Sequence, residues 1–322
     1  MMKKVLVMGG TYFIGKAITH ELLLCGYDVY TLNRGTTVPA DQRITQITCD
    51  RNNHENMKKA LGGYSFDCVV DVSAVQKEQS EILLDSLNFN HLSEYIFISS
   101  SAVYAVKQLN IPFAETDKLG DNAYWGQYGI DKIQSEQFLT ERLGNTNISL
   151  NILRPPYVYG ENNYAQRESF VFNRIYNDKP VVVPNKGTGM LQFIYAPDLA
   201  NIVATLLDKS LSGVNIFNVG NSKGITTSQW VQACGKATGK AVKILTYDYE
   251  GDGKNVRDFF PFFDYDNVLE VSKIKTLVPN ETDFLLGLNN AYRWYLRNVD
   301  NIKFKDYVED NLYEIVEKLT KC

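Results

Sequence analysis

The chain has 322 residues, of which 44% are hydrophobic and 22% charged, so it is neither a disordered nor a fibrous protein and it is long enough for two lobes. Its 33 lysines and arginines against 37 aspartates and glutamates give a net charge of −4. A chain built mainly to neutralise nucleic-acid phosphates is therefore disfavoured.

Short apolar runs alternate with helical patterns through the first half of the chain. The predicted strands are 5–8, 28–33, 44–48, 67–72, 95–100 and 148–154. The predicted helices include one from Phe13 to Gly26 and those over 52–61, 77–90 and 127–142. Strands that are apolar on both faces and alternate with helices predict an α/β fold with a doubly wound parallel sheet.

The alternation loosens after residue 155. Strand-like FIY (193–195) and VNIFNVG (214–220) follow, with helices near 197–208 and 226–238. Asp198 beside Pro197 is expected to cap the first of these helices rather than to bind a ligand. In the aromatic stretch DFFPFFDYDN (258–267), packing in a core is favoured over a platform that stacks nucleic-acid bases.

We expect two domains, one over 1–160 and a smaller mixed α/β lobe over 161–322, with some segments of the second half returning to the first domain.

Cysteines and histidines indicate neither a disulfide framework nor a metal site. The five cysteines are odd in number and lack CxxC spacing, so free thiols in a reducing compartment are expected. The three histidines lie far apart in the sequence. The start MMKKVLVMGG is too short an apolar run for a secretion signal, and no stretch approaches the roughly 20 apolar residues that span a bilayer. We expect a cytoplasmic protein without a metal or a membrane partner.

The stretch GGTYFIG follows a predicted strand and opens a predicted helix, which is the context of a dinucleotide-binding turn. Gly9 would permit the tight turn and Gly15 the close packing of helix on strand, while the helix N-terminus directs N–H groups at a pyrophosphate. Thr11 could add a hydroxyl. Tyr12 replaces the central glycine usual in such turns, and we expect its ring to swing outward and flank the adenosine half. The alternative is a strand–turn–helix that binds no ligand.

The end of the second strand reads TLNRG, with Asn33 and Arg34 where an NAD-binding site would carry an acid for the ribose 2′-hydroxyl. Because a guanidinium suits a 2′-phosphate, NADP is favoured over NAD. The alternative is an exposed arginine in a loop. After the third strand, Asp50 could accept a hydrogen bond from the adenine amino group, or it could cap the helix over 52–61.

YGIDK places Tyr128 and Lys132 four residues apart on one face of a predicted helix. A phenol is a poor base at neutral pH, but a nearby ammonium stabilises the phenolate and lowers its pKa. The lysine can also donate to the nicotinamide ribose. A serine of ISSSAVY (98–104), at the end of the neighbouring strand, would then hold the reacting hydroxyl or carbonyl.

Taken together, GGTxFIG, SSSAVY, YGIDK, LRPPYVYG and FIYAPDLA resemble, in order and spacing over residues 1–210, the extended short-chain dehydrogenase/reductases of the NAD(P)-dependent epimerase/dehydratase family. More narrowly, the chain resembles an atypical branch that includes bacterial epimerase-like proteins and chloroplast stem-loop-binding proteins. The resemblance implies a Rossmann domain over 1–160 and a mainly substrate-binding lobe over 161–322. It selects Ser100, four residues before Tyr104, as the catalytic serine.

The resemblance implies a catalytic set of Ser100, Tyr128 and Lys132 and no metal. The expected cofactor-binding residues are Gly9, Thr11, Tyr12, Phe13, Ile14, Gly15, Asn33, Arg34, Asp50, Ser73, Ala74, Tyr128, Lys132 and Pro155.

Several positions depart from the family pattern. The Asp-Glu pair of the dehydratases is replaced by Ser101 and Ala102, so dehydration is disfavoured. Tyr157 stands where an asparagine often holds the nucleotide-sugar, and Leu191 and Gln192 stand where an arginine is usual. The dinucleotide half of the site is therefore better supported than the sugar-nucleotide half.

We expect an NAD(P)-dependent oxidoreductase or epimerase that acts by hydride transfer on a carbinol or carbonyl of a sugar or nucleotide-sugar. The alternative is a non-catalytic protein on the same fold that senses NADP or binds RNA. Nucleic acid is disfavoured as a partner but stays open, and the resemblance suggests a homodimer.

Overall fold

The computed structural model describes residues 2–321, so the prediction of a free thiol at Cys322 lies outside the described residues. The strands within that range are β1 (Lys4–Met8), β2 (Asp28–Asn33), β3 (Thr45–Thr48), β4 (Cys68–Asp71), β5 (Glu94–Ile98), β6 (Ser149–Arg154), β7 (Tyr157–Tyr159), β8 (Val181–Pro184), β9 (Met190–Leu191), β10 (Phe193–Tyr195), β11 (Val214–Asn218), β12 (Ile225–Thr226) and β13 (Ile244–Tyr247). The helices are α1 (Phe13–Leu24), α2 (His54–Leu61), α3 (Lys77–Ser86), α4 (Gln127–Leu143), α5 (Glu168–Tyr176), α6 (Ala196–Lys209), α7 (Thr227–Thr238), α8 (Ser272–Lys275), α9 (Phe284–Asn298) and α10 (Asp306–Thr320).

Seven strands form one sheet in the order β11-β6-β5-β4-β1-β2-β3, and each neighbouring pair is parallel. The register places Val5 of β1 between Val29 of β2 and Cys68 of β4. Strands β1, β4 and β5 are mainly apolar, with a charged residue only at one end of each, because helices cover both faces of such a sheet. The predicted α/β class and doubly wound parallel sheet are confirmed.

The chain divides into two compact units. The first comprises the chain up to Val158, Ala196–Ser222 and Leu269–Glu281. The second comprises Tyr159–Tyr195, Lys223–Val268 and the chain from Thr282 onwards. The first unit contains the seven-stranded sheet, and α1 packs against α6 within it.

The predicted cap of α6 is wrong, and one of the two roles left open for Asp50 is excluded. Helix α2 begins after Asn53, whose side chain accepts from the backbone N–H of Asn56 at 3.0 Å, so Asp50 does not cap it. Helix α6 begins at Ala196, which places Asp198 inside the first turn. A carboxylate there still stabilises the helix N-terminus through the helix dipole, so the charge is useful at either position.

The aromatic residues near 260 form part of the core of the second unit. Phe259, Phe260 and Phe262 are buried, and the ring of Phe262 lies 4.7 Å from that of Trp230 in an edge-to-face arrangement. Phe193 stacks on Trp230 at 5.8 Å and also contacts Phe262, with ring centres 5.5 Å apart. Since buried rings cannot stack on nucleic-acid bases, the prediction of core packing is confirmed.

Candidate functional site

The turn between β1 and α1 depends on two glycines. Gly9 has a φ of +83°, and a Cβ there would come within 2.8 Å of the Cβ of Ser73. A Cβ on Gly15 would collide with the Gly9 carbonyl and lie 2.9 Å from the Cα of Gly10. The turn can therefore close tightly, and the first turn of α1 lies directly on the end of β1.

Tyr12 immediately precedes α1, in extended conformation, and its side chain is 54% exposed. Phe13 and Gly15, which follow it, are buried beneath the turn. The ring of Tyr12 therefore points away from the core. The tyrosine that replaces the usual glycine does not fill the turn with its side chain.

A cavity of about 490 Å³ opens at the carboxyl ends of β1, β2, β3 and β4. Its lining consists of Met8, Gly9, Thr11, Tyr12, Leu32, Asn33, Arg34, Thr36, Thr37, Cys49, Asp50, Arg51, Asn52, Ser73 and Gln79. Seven of the predicted cofactor residues meet here, contributed by four separate loops: Gly9, Thr11, Tyr12, Asn33, Arg34, Asp50 and Ser73. Ligands of open parallel sheets bind at this edge.

Asn33 and Asp50 shape the cavity through local hydrogen bonds. The Oδ1 of Asn33 accepts from the backbone N–H of Gly35 at 2.7 Å and from Nε2 of Gln46 at 2.8 Å. The Oδ1 of Asp50 accepts from the backbone N–H of Asn52 at 3.0 Å. Arg34 lies between these loops as an exposed cation on the cavity wall.

Sequence reasoning missed Arg51, which lines the cavity and forms an ion pair with the buried Asp71 at the end of β4, at 2.8 Å. Its Nη1 also donates to the Oγ of Ser73 at 2.7 Å. The carboxylate in the otherwise apolar run CVVD is the signal that could have indicated a buried cationic partner.

The three consecutive serines after β5 have different environments. Ser99 is buried, and its Oγ donates to Oε1 of Glu136 at 2.5 Å. Ser100 is half-buried, and its Oγ accepts from the backbone N–H of Ala102 at 3.1 Å at the start of a 3₁₀ turn. Ser101 lies within that turn and is buried. Of the three, only Ser100 is partly exposed.

Tyr128 is the second residue of α4, and it is half-buried with its ring 5.6 Å from that of Trp125. The next residue, Gly129, lies so close to the Ala102 carbonyl that a Cβ there would collide with it. This contact brings the start of α4 against the turn that follows Ser100. Tyr128 and Ser100 therefore lie at the same edge of the sheet.

Lys132, one turn further along α4, is only 3% exposed. Its Nζ donates to the carbonyl of Ala74 at 2.6 Å and to that of Ile98 at 2.7 Å, and it lies 4.7 Å from the centre of the Phe97 ring. Burial lowers the pKa of Lys132 to about 8, although the negative charge of Asp71 acts to raise it. The ammonium thus joins the loops that follow β4 and β5.

A second buried ion pair lies below the serines. Arg154, the last residue of β6, donates from Nε to Oε1 of Glu136 at 3.0 Å and from Nη2 to Oε2 at 2.6 Å. Its Nη1 donates to the hydroxyl of Tyr104 at 3.1 Å. The pair raises the pKa of Arg154 still further, so the guanidinium is permanently charged.

Eight predicted residues do not line the cavity. Ser100, Tyr128 and Lys132 gather at the ends of β4 and β5, and Pro155 supports them because its carbonyl accepts from the backbone N–H of Ser101 at 2.9 Å. The others, which lie beneath the glycine turn or behind the cavity wall, are Phe13, Ile14, Gly15 and Ala74. Ala74 joins the two groups, because it follows the cavity residue Ser73 and its carbonyl holds Lys132.

Among residues 2–321, no three His, Cys, Asp or Glu side chains lie together as a metal site would require. Within the same residues no helix has both the length and the apolar content needed to span a bilayer. Cys25, Cys49, Cys68 and Cys234 are free thiols, as predicted for these four.

Three features are typical of a short-chain dehydrogenase/reductase type of protein. They are the parallel sheet, the glycine turn at its first strand–helix junction, and the Tyr/Lys pair between β5 and β6. Residues 5–220 match the NAD dependent epimerase/dehydratase family. The chain belongs to that family, as the motifs predicted.

Two curated relatives show how far the similarity extends. The chain is 28% identical over 327 residues to the chloroplast stem-loop binding protein of 41 kDa b from Arabidopsis thaliana, covering 96% of this chain and 84% of that protein. It is 25% identical over 268 residues to the dTDP-4-dehydro-6-deoxyglucose reductase of Escherichia coli, covering 71% and 79%.

Among solved structures, UDP-glucose 4-epimerase from Bifidobacterium longum, in complex with NAD⁺ and UDP, superposes with a TM-score of 0.75 at 18% identity, covering 92% of this chain and 99% of that one. UDP-glucose 4-epimerase from Thermotoga maritima, with UDP-glucose, gives 0.76 at 18% identity, with the same coverage. At this level of identity the likeness shows the fold.

Proposed function

We propose that this protein is an NAD(P)-dependent oxidoreductase or epimerase that acts on a carbinol or carbonyl of a sugar or nucleotide-sugar. The observation that carries the proposal is the buried ammonium of Lys132, held by two backbone carbonyls and one helical turn from Tyr128. A protein that used the fold only as a scaffold could join these two loops with an uncharged side chain, whereas burial of an ammonium is costly.

The residues present fit a dinucleotide. Gly9 and Gly15 allow the backbone of the turn to pack directly against the N-terminus of α1, where a pyrophosphate is favoured. The cavity beside it would take the adenosine half, with Tyr12 on its open side and Asp50 near the adenine. A bound nicotinamide supplies the hydride donor and acceptor.

Three side chains would carry the proton chemistry. Tyr128 exchanges a proton with the substrate oxygen at its Oη, and Lys132 stabilises the phenolate by its positive charge and holds a ribose hydroxyl. Ser100 orients the reacting oxygen, which its partial exposure allows. The pKa of the tyrosine, ordinarily near 10, must fall for this role, and a positive charge close to the phenol would lower it.

Tyr128→Phe tests the chemistry. Loss of the acid–base group should lower turnover about 10²–10⁴-fold, while the dissociation constant for the nicotinamide nucleotide stays nearly the same. Turnover is measured over a panel of UDP- and dTDP-hexoses, the sugars named in the relatives. Oxidation or reduction is followed as nicotinamide absorbance, and epimerisation, which regenerates the cofactor, by chromatographic separation of the product sugar. Tyr313→Phe, a change of the same kind at a 72% exposed tyrosine, is the matched control. Wild-type turnover in Tyr128→Phe would refute the assignment.

We propose NADP as the preferred cofactor because β2 ends in Asn33 and Arg34 rather than in a carboxylate, with an exposed guanidinium at the cavity. Separate titrations with NADPH and NADH, followed by nicotinamide fluorescence, test this. Arg34→Ala should weaken NADPH binding about tenfold or more and leave NADH binding unchanged. Equal binding of both nucleotides by the unaltered protein would contradict the preference.

The similarity to a stem-loop binding protein favours one alternative, an RNA-binding protein on the same fold. It predicts RNA affinity that falls steeply with salt. The net charge of −4 and the burial of the rings of Phe259 and Phe262 count against it. Salt-dependent RNA binding together with no affinity for NADPH or NADH would favour this alternative over the enzyme.

A further inference from the structure

Asp71, the last residue of β4, is fully buried and collects donors from three parts of the first unit. Its carboxylate accepts from Nη1 and Nη2 of Arg51 at 2.9 and 2.8 Å and from the hydroxyl of Tyr95 at 3.2 Å. It also accepts from the backbone N–H groups of Ser73 and Ala74, at 3.2 and 3.1 Å. Asp71 therefore fixes the loop that follows its own strand.

That loop holds the lysine of the proposed catalytic set. The N–H of Ala74 bonds to Asp71, and the carbonyl of the same residue accepts from Nζ of Lys132. An ammonium has three N–H groups, of which the carbonyls of Ala74 and Ile98 take two. One remains for a ribose hydroxyl, whereas a neutral amine would have both of its N–H groups taken by the carbonyls.

We propose that Asp71 keeps Lys132 in place and charged, and that Arg51 holds Asp71 in place through their ion pair, so that these two positioning residues link the wall of the adenosine cavity to the catalytic lysine. The inference rests on the proposed function, since it concerns the binding of a nicotinamide nucleotide. Neither residue is assigned a bond to the reacting atoms.

The charges around Lys132 act in opposite directions. Asp71, facing it from β4, and Glu136, on α4 itself, raise its pKa, while Arg51 from the loop after β3 lowers it. Tyr95 on β5 is neutral because burial raises its pKa well above the usual value. Asp71 has a larger effect than Arg51. The ionised state of Asp71 is itself secured by Arg51, which holds its pKa below the ordinary value in spite of burial.

The test is the pH dependence of the dissociation constant for NADPH, or for NADH if that binds more tightly, measured by nicotinamide fluorescence. The intact protein should lose affinity with a midpoint near the pKa of Lys132, about 8. Asp71→Asn should move the midpoint down by about one pH unit, because the stabilising charge is gone. Arg51→Met should move the midpoint up, because it removes a positive charge that lowers the pKa of Lys132. Asp71 keeps three other donors and remains ionised at alkaline pH.

Two further variants separate this role from a merely structural one. Arg51→Lys retains the positive charge and should keep the midpoint of the intact protein. The double variant Asp71→Asn/Arg51→Met removes both members of the ion pair, so neither is left buried without its partner, and its midpoint should fall because the effect of Asp71 on Lys132 is the larger. Circular dichroism identifies any variant that fails to fold. If Asp71→Asn fails to fold, the inference is tested by comparing the midpoint of Arg51→Met with those of Arg51→Lys and of the double variant.

A common midpoint in all folded variants would overturn the inference and leave the proposed function standing. Failure of the intact protein to bind either nucleotide at any pH would instead refute the proposed function itself. Opposite shifts for Asp71→Asn and Arg51→Met support the inference, because loss of structure alone would weaken binding in both variants without moving their midpoints apart.

Discussion

Glu168, the first residue of α5 in the second unit, should make the stability of that unit depend on pH. Its Oε1 accepts from the backbone N–H of Gly160 at 3.0 Å, and Nδ2 of Asn163 donates to both carboxylate oxygens, at 3.1 and 3.2 Å. These bonds favour the carboxylate, but burial outweighs them and raises the pKa of Glu168 to about 7.

The sign and the size follow from linkage. In the unfolded chain the carboxyl has its ordinary pKa of 4.5, so between that pH and about 7 the folded state binds more protons than the unfolded state. The contribution of Glu168 to stability is therefore fully present below pH 4.5 and is lost as the pH rises to about 7. The loss amounts to about 3 kcal/mol, at roughly 1.4 kcal/mol for each unit of pKa shift.

Urea unfolding at a series of pH values measures this change, with tryptophan fluorescence as the signal because Trp230 and Trp294 lie in the second unit. Glu168→Gln removes the titration, so the difference in unfolding free energy between the intact protein and this variant should change by about 3 kcal/mol across the window. Glu250→Gln, at an exposed glutamate of the same unit, should leave the pH dependence as it is. A constant difference between the intact protein and Glu168→Gln would refute the reasoning.

Two further predictions concern the first unit. Gly15→Ala should lower the unfolding free energy by about 3 kcal/mol and abolish nucleotide binding, because the new Cβ meets backbone atoms of the turn. The control Gly63→Ala places its Cβ in open space and should change the unfolding free energy by less than about 0.5 kcal/mol. Urea unfolding and a nucleotide titration check both, and equal stability of the two variants would contradict this account of the turn. Arg154→Met should cost about 3–5 kcal/mol in urea unfolding, since it leaves Glu136 buried without a counterion, while Arg154→Met/Glu136→Met should recover most of the loss. A double variant no more stable than the single one would show that the charge is not the cause.

The sheet was predictable because each strand carries its own evidence. A strand covered by helices on both faces is apolar along most of its length, so the runs VLVM (5–8) and YIFI (95–98) stand out from the helical segments around them. The glycine turn was predictable for a similar reason, because its requirements are local. The predicted strand over 28–33 agrees with β2, and the predicted helix over 127–142 ends one residue short of α4.

Pairing between distant charges could not be predicted in the same way. Arg51 and Asp71 are 20 residues apart and meet only because β3 and β4 end at the same edge of the sheet. Capping failed for a different reason, since Asp50, Asn52 and Asn53 are all competent caps and only the geometry of the loop selects Asn53. The different burial of Ser99 and Ser100 also depends on a distant residue, because Ser99 donates to Glu136 of helix α4.

The first unit is not continuous in the chain, and this has a consequence for its synthesis. Strand β11, which pairs with β6, and helix α6, which packs on α1, both come from Ala196–Ser222. A nascent chain that ends at Val158 would expose β6 as an open sheet edge and leave the buried side of α1 in contact with water. The unit can be completed only after Glu281 has left the ribosome, so a truncated fragment cut at Val158 should aggregate rather than fold.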